Sequence, residues 1–203
     1  HGYGASKETH LAELLRLADL GLLAVGIDAV GHGRRRPDGC AHRVTGSPRE
    51  NAAVFRRIIG DTVAGLPRLV DELLEVGLSE PGRIAIAGVS MGGCIVYGAV
   101  AADRRYAAAV ALLGSPEWTR PEDDGAWLDA FHPTALLSIT AGRDSVVPPA
   151  AARELHALLA GRYRLQPERL SYRELAAAPH LMPAADWAIA TGHAAAWLKR
   201  FLS

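Results

Sequence analysis

The pentapeptide Gly88-Val89-Ser90-Met91-Gly92 sets a hydroxyl between two glycines at a change of sequence character. Before it, "RIAIA" is β-branched and small, as in a buried strand. After it, "GCIVYGAV" combines small residues with a helical pattern. A serine in such a tight strand-to-helix turn projects its Oγ at the carboxyl edge of a sheet. Glycines two residues away on either side avoid Cβ collisions there. The helix N-terminus behind it supplies N–H groups and a positive dipole end. This is the setting of an acyl-transfer nucleophile. The pattern by itself is also compatible with a plain structural turn.

A serine hydroxyl is a poor nucleophile near neutral pH and needs a base that is held by an acid. For a serine on a strand-to-helix turn the expected chain order is Ser, then Asp or Glu, then His. "ITAGRDSVVPP" puts Asp144 just past a strand, and "AAAPHLMP" puts His180 between the last strand and the last helix. Alone, Asp144 reads as a turn aspartate and His180 as a solvated loop histidine. Together, in this order and at this sheet edge, Ser90, Asp144 and His180 read as a catalytic set. His193, His156, His132 and Asp28 are the rivals, and none follows a late strand as Asp144 and His180 do. The developing oxyanion requires two donors. One falls to the backbone N–H of Met91, the residue after the nucleophile.

These positions need a parallel sheet with helices between its strands. Apolar strands do alternate with helical patterns along the chain, the mark of an α/β fold with helices on both faces. Strands are expected at 22–28, 83–89, 106–114, 134–142 and 169–175. Helices are expected near 7–20, 49–77, 91–103, 148–161 and 186–202. The polar, Gly-rich loop 29–48 and the irregular segment 114–134 are placed to roof the site. Arg34 in "GRRRP" could meet a carboxylate on a substrate, and Trp118 and Trp127 could wall an acyl group. Solvated arginines and packed aromatics are the plainer alternative.

The chain has 203 residues, 49% hydrophobic and 22% charged, which suits one domain with a real core. Lys plus Arg and Asp plus Glu both number 22, so a general nucleic-acid or membrane-surface role is not expected. Apolar runs are too short for a bilayer. Two cysteines, Cys40 and Cys94, do not make a disulfide framework, and a reducing, cytoplasmic setting follows.

With "HGYGASKE", "GIDAVGHGRR", "RIAIAGVSMGG", "LLGSPEW", "AGRDSVVP" and "PHLMP", the whole chain resembles the α/β-hydrolase superfamily. Within it, the chain is most similar to dienelactone-hydrolase-like and prolyl-oligopeptidase-like small bacterial esterases. The resemblance implies Ser90, Asp144 and His180 as the triad and the N–H groups of Tyr3 and Met91 as oxyanion donors. It implies no metal and no organic cofactor. Dienelactone hydrolases proper use a cysteine nucleophile, whereas here the position is Ser90 and Cys94 lies one turn further on. The resemblance also implies a central strand before His-Gly. N-terminal strands would then be missing from residues 1–203, leaving a gap between 22–28 and 83–89.

The expected activity is hydrolysis of carboxylic esters of small molecules, in a single α/β-hydrolase domain with a small roof at about 114–134. A peptidase, amidase or thioesterase would use the same triad. A binding protein on a hydrolase scaffold is the non-catalytic alternative. A homodimer is the candidate assembly.

Overall fold

The computed structural model describes residues 1–36 and 46–202. Cys40 and the part of loop 29–48 around it lie outside the described residues. Four strands form one parallel sheet in sequence order: β1 (Ile84–Val89), β2 (Tyr106–Leu112), β3 (Ala135–Ala141) and β4 (Leu170–Leu175). The β1–β2 register sets Ile86 beside Ala109 and Val89 beside Leu112. Parallel strands need crossovers, and helices supply them: α3 (Met91–Ala102) between β1 and β2, and α5 (Ala150–Leu159) between β3 and β4. A short helix, α4 (Gly125–Asp129), lies in the irregular segment 114–134. Helix α1 (Leu11–Asp19), helix α2 (Pro48–Glu75) and the last helix, α6 (Ala184–Leu202), complete the regular elements.

The strand period of two sends neighbours to opposite faces. Ala109, Ala111 and Leu136 pack with Val96, Tyr97 and Val100 of α3 and Leu155 and Leu159 of α5. Ala108, Val110, Leu137 and Ile139 pack on the other face with Ala190 and Leu198 of α6 and with Leu17 of α1. Each fully buried Leu or Ile contributes about 1.5–3 kcal/mol from apolar burial. The alanines of β2 let the helices approach closely. Helix α2 covers α3, so α3 is apolar on every side and Met91 through Val100 are all buried. A reciprocal cap starts α2: Ser47 Oγ accepts from Glu50 N–H at 3.3 Å, and Glu50 Oε2 accepts from Ser47 N–H at 2.7 Å. The helix runs unbroken through Gly60 and Pro67.

One expectation is corrected. Residues 22–28 form no strand and pair with none among the described residues, and Leu23 (61% exposed) and Val25 (46%) stand in water. An apolar run becomes sheet only when a ladder partner is alongside. Among the described residues β1 pairs on one side only, with β2. Between its other edge and residues 22–27 runs a groove of about 430 Å³, floored by Leu66, Leu69, Val70 and Leu198. The sheet therefore has a gap between 22–28 and β1. No helix among the described residues is long and apolar enough to cross a membrane.

A polar network is sealed within the sheet–helix layer. Tyr97 Oη and His156 Nε2 each lie 2.8 Å from Ser138 Oγ, and all three residues are buried. Burial pushes the His156 imidazole down to about 4 from 6.5. The folded state therefore binds fewer protons than the unfolded chain between these values. The resulting stability is present above about pH 6.5 and is lost as pH falls toward 4, on the order of 3 kcal/mol. Urea midpoints should drop over that window in wild type, and His156→Leu should flatten the drop. An equal drop in the variant would assign it to other groups.

Candidate active site

Ser90 stands between the end of β1 and the start of α3, with φ 57° and ψ −113°. A non-glycine residue in this region is strained and is kept there by its surroundings. Three contacts do this. Ser90 N–H donates to Leu112 O at 2.8 Å, Gly92 N–H donates to His1 O at 3.1 Å, and Cys94 N–H donates to Ser90 O at 3.0 Å. The glycines are needed for close approach. A Cβ on Gly88 would lie 2.2 Å from Gly92 O, and one on Gly93 would lie 2.6 Å from Leu112 O.

Two loops bring the partners. Beyond β3, Asp144 is buried; its Oδ1 accepts from Val146 N–H at 2.9 Å and from Val147 N–H at 2.7 Å. Its Oδ2 lies 2.6 Å from His180 Nδ1. His180 Nε2 in turn lies 3.0 Å from Ser90 Oγ. A carboxylate only accepts, so Nδ1 carries the imidazole proton and Nε2 presents a lone pair to the serine hydroxyl. The two loops are tied together. Gly142 N–H donates to Leu175 O at 2.9 Å and Arg143 N–H donates to Ala178 O at 3.0 Å. A Cβ on Gly142 would meet Ala176 O at 2.5 Å, so this approach also needs glycine.

The loop at the start of the chain is pegged beside the serine. His1 Nε2 accepts from Ala29 N–H at 3.0 Å, which leaves Nδ1–H to donate to Gly2 O at 2.9 Å. A Cβ built on Gly2 would be 3.8 Å from Ser90 Cβ, so the backbone around Gly2 and Tyr3 adjoins Ser90. Buried Asp28 ties this loop to the turn at 33–35: Oδ1 accepts from Lys7 N–H at 2.9 Å and Oδ2 from Arg34 N–H at 3.0 Å. Burial alone would raise the Asp28 carboxyl. The two amides, with the charges of Lys7 and Arg34, outweigh it and hold it below the usual range. Met91 N–H sits in the first turn of α3, where an amide has no intrahelical acceptor.

The remaining sequence candidates fall elsewhere. Arg34 uses its backbone on Asp28, and its side chain is exposed. Trp118 stacks edge-on against Phe55 at 4.6 Å, and Phe55 lies 5.7 Å from the Tyr3 ring, centroid to centroid. This row packs on the cluster that contains Met91. Trp127 packs instead against Phe131 in the cluster under α5, apart from the serine. His193 faces Arg173 at 3.5 Å, and His132 stacks on Tyr163. Cys94 is buried, accepts from Ser115 N–H, and burial pushes its thiol up to about 11. It is an inert core thiol rather than a nucleophile. Among the described residues no three His, Cys, Asp or Glu side chains are grouped to hold a metal ion. Asp28 reads from the sequence as a hydrogen-bond partner of the loop that follows it, and Arg34 N–H is that partner; the His1 imidazole peg and the bond from Lys7 N–H to Asp28 are not read from the sequence. The signals were "HG" at the start and Asp28 at the end of an apolar run.

The parallel sheet, the strained serine after β1 and the two loops that meet it define the α/β-hydrolase fold. In fold and in sequence the chain is similar to esterase-like proteins of that superfamily. No family model matches the chain. It is 27% identical over 216 residues to a Bacillus subtilis (strain 168) protein named "Putative esterase YitV", covering 91% of this chain and 82% of the relative. The structure is similar to that of TT1662 from Thermus thermophilus, with TM-score 0.80 and 25% identity, over 100% of this chain and 87% of that one. It shares its fold with esterase PE8, with TM-score 0.68 and 17% identity, over 100% and 90% of the two chains.

Proposed function

We propose that the chain is a serine hydrolase of the carboxylesterase type, acting on small-molecule esters. One observation carries the reading: the hydrogen-bonded chain Ser90 Oγ, His180 Nε2, His180 Nδ1, Asp144 Oδ2, with steps of 3.0 and 2.6 Å. Ser90 Oγ attacks the ester carbonyl while His180 Nε2 takes its proton. The N–H groups of Tyr3 and Met91 receive the oxyanion. His180 then protonates the leaving alcohol, and an acyl group remains on Ser90. Water attacks it with His180 again as base, which releases the acid and restores the serine. Asp144 holds the imidazole tautomer throughout. The relative named an esterase supports an ester as substrate. A reducing, cytoplasmic setting is part of the proposal, in keeping with the free, buried Cys94.

The test is labelling with a fluorophosphonate probe alongside turnover of p-nitrophenyl acetate. Wild type should label and turn over; Ser90→Ala should do neither. A wild type that stays unlabelled and inactive would make this scaffold a binding protein.

A further inference from the structure

We propose that Leu181 and Val146 form the subsite for the alcohol part of the ester, and that this alcohol is apolar and carries no positive charge. The inference rests on the hydrolase reading above. In that reading His180 Nε2 must reach the departing oxygen, so the alcohol lies on the His180 side of the carbonyl carbon. The carbonyl oxygen points instead toward Tyr3 and Met91. The residues that flank His180 and Asp144 therefore meet the alcohol.

Two residues close to them in the chain are aliphatic and face water. Leu181, the next residue after His180, is 87% exposed. Val146 is 68% exposed, and its N–H is the one held by Asp144 Oδ1 at 2.9 Å. Both sit in loops tied to each other through Arg143 N–H and Ala178 O. Their neighbours continue the character: Ser145-Val146-Val147-Pro148 and Leu181-Met182-Pro183 hold no ionisable side chain. Single exposed aliphatics are ordinary on a protein surface. Here one follows the histidine bonded to Ser90, and the other lies two residues past the aspartate bonded to that histidine. An apolar alcohol would cover them and leave water with less apolar surface to wet. A cationic alcohol would find no carboxylate in either segment, and the one charged neighbour in the chain, exposed Arg143, would repel it.

The experiment uses two ester series followed by acid release: acetates of methyl to hexyl alcohol, and methyl esters of acetic to hexanoic acid. In wild type, kcat/KM should rise about two- to fourfold per methylene over the first alcohol carbons. In Leu181→Ser with Val146→Thr, which keeps both backbones, the rise should flatten. The hexyl-to-methyl ratio should then fall about tenfold or more, through KM. The acyl series should keep its wild-type slope. A second variant gives a gain that misfolding cannot mimic. Leu181→Glu should raise the rate on acetylcholine, relative to its neutral isostere 3,3-dimethylbutyl acetate, by about fivefold. An unchanged alcohol slope, or a flattened acyl slope instead, overturns the assignment. If wild type hydrolyses no ester of either series, the hydrolase reading fails and this one falls with it.

Discussion

Asp144→Asn should remain folded and lose about 10⁴-fold in kcat/KM on a simple ester. The reason lies in how the two carboxylate oxygens are divided. Oδ1 is taken by the amides of Val146 and Val147, at 2.9 and 2.7 Å. An asparagine must keep its carbonyl oxygen there, because an NH₂ facing two N–H donors would leave them unpaired, at about 1–3 kcal/mol each. The NH₂ then replaces Oδ2 and points at His180 Nδ1, where the present separation is 2.6 Å. A donor at that place makes Nδ1 an acceptor and moves the ring proton to Nε2. Nε2 can no longer take the Ser90 proton. Circular dichroism and kcat/KM on wild type and variant check this. A folded variant with near-normal turnover would leave Asp144 only its turn amides and take it out of the triad.

Gly88→Ala should cost about 3 kcal/mol or more in stability and most of the activity. The added Cβ would sit 2.2 Å from Gly92 O and 2.3 Å from Gly92 C. Both are backbone atoms of the turn itself, and no rotamer change relieves the contact. The turn must open, and opening it moves Ser90 Oγ away from His180. Gly161→Ala is the control, since its Cβ would meet nothing within 4 Å. Urea midpoints and kcat/KM should separate the two. If Gly88→Ala behaves like Gly161→Ala, the close packing of the turn is not what holds the serine in place.

The parts of this molecule that were legible in the sequence are those whose cause is local. The turn at Ser90 needs glycines two positions away, and the sequence displays them. Helix α2 announces its start with Ser47, Pro48 and Glu50. Strands β1 to β3 are short apolar runs between polar punctuation. The segment 22–28 has the same composition, but whether it joins a sheet depends on a neighbour, which composition cannot report. Asp144 shows why the reading of site residues was harder. Its turn role and its hold on His180 looked like alternatives; the structure gives one oxygen to each. The His1 imidazole on Ala29 N–H and the Asp28 carboxylate on Lys7 N–H span gaps in sequence that no periodicity marks. Trp118 and Trp127 carry the same letter in one segment, yet they pack in different clusters.

The enclosure of helix α3 bears on how this enzyme scaffold could diversify. Every residue from Met91 to Val100 is buried, and Gly92 and Gly93 abut the backbones of His1, Leu112 and Gly114. A helix so confined offers almost no neutral substitutions, and its first residue dictates where Ser90 stands. Ser90 is thus a fixed origin of coordinates for the site. Inherited variation can accumulate around it, in the segments after β3 and β4, where side chains such as Val146 and Leu181 reach solvent. New substrate preferences would then arise by exchanging a few exposed residues on those rims, with the sheet and its central helix left untouched.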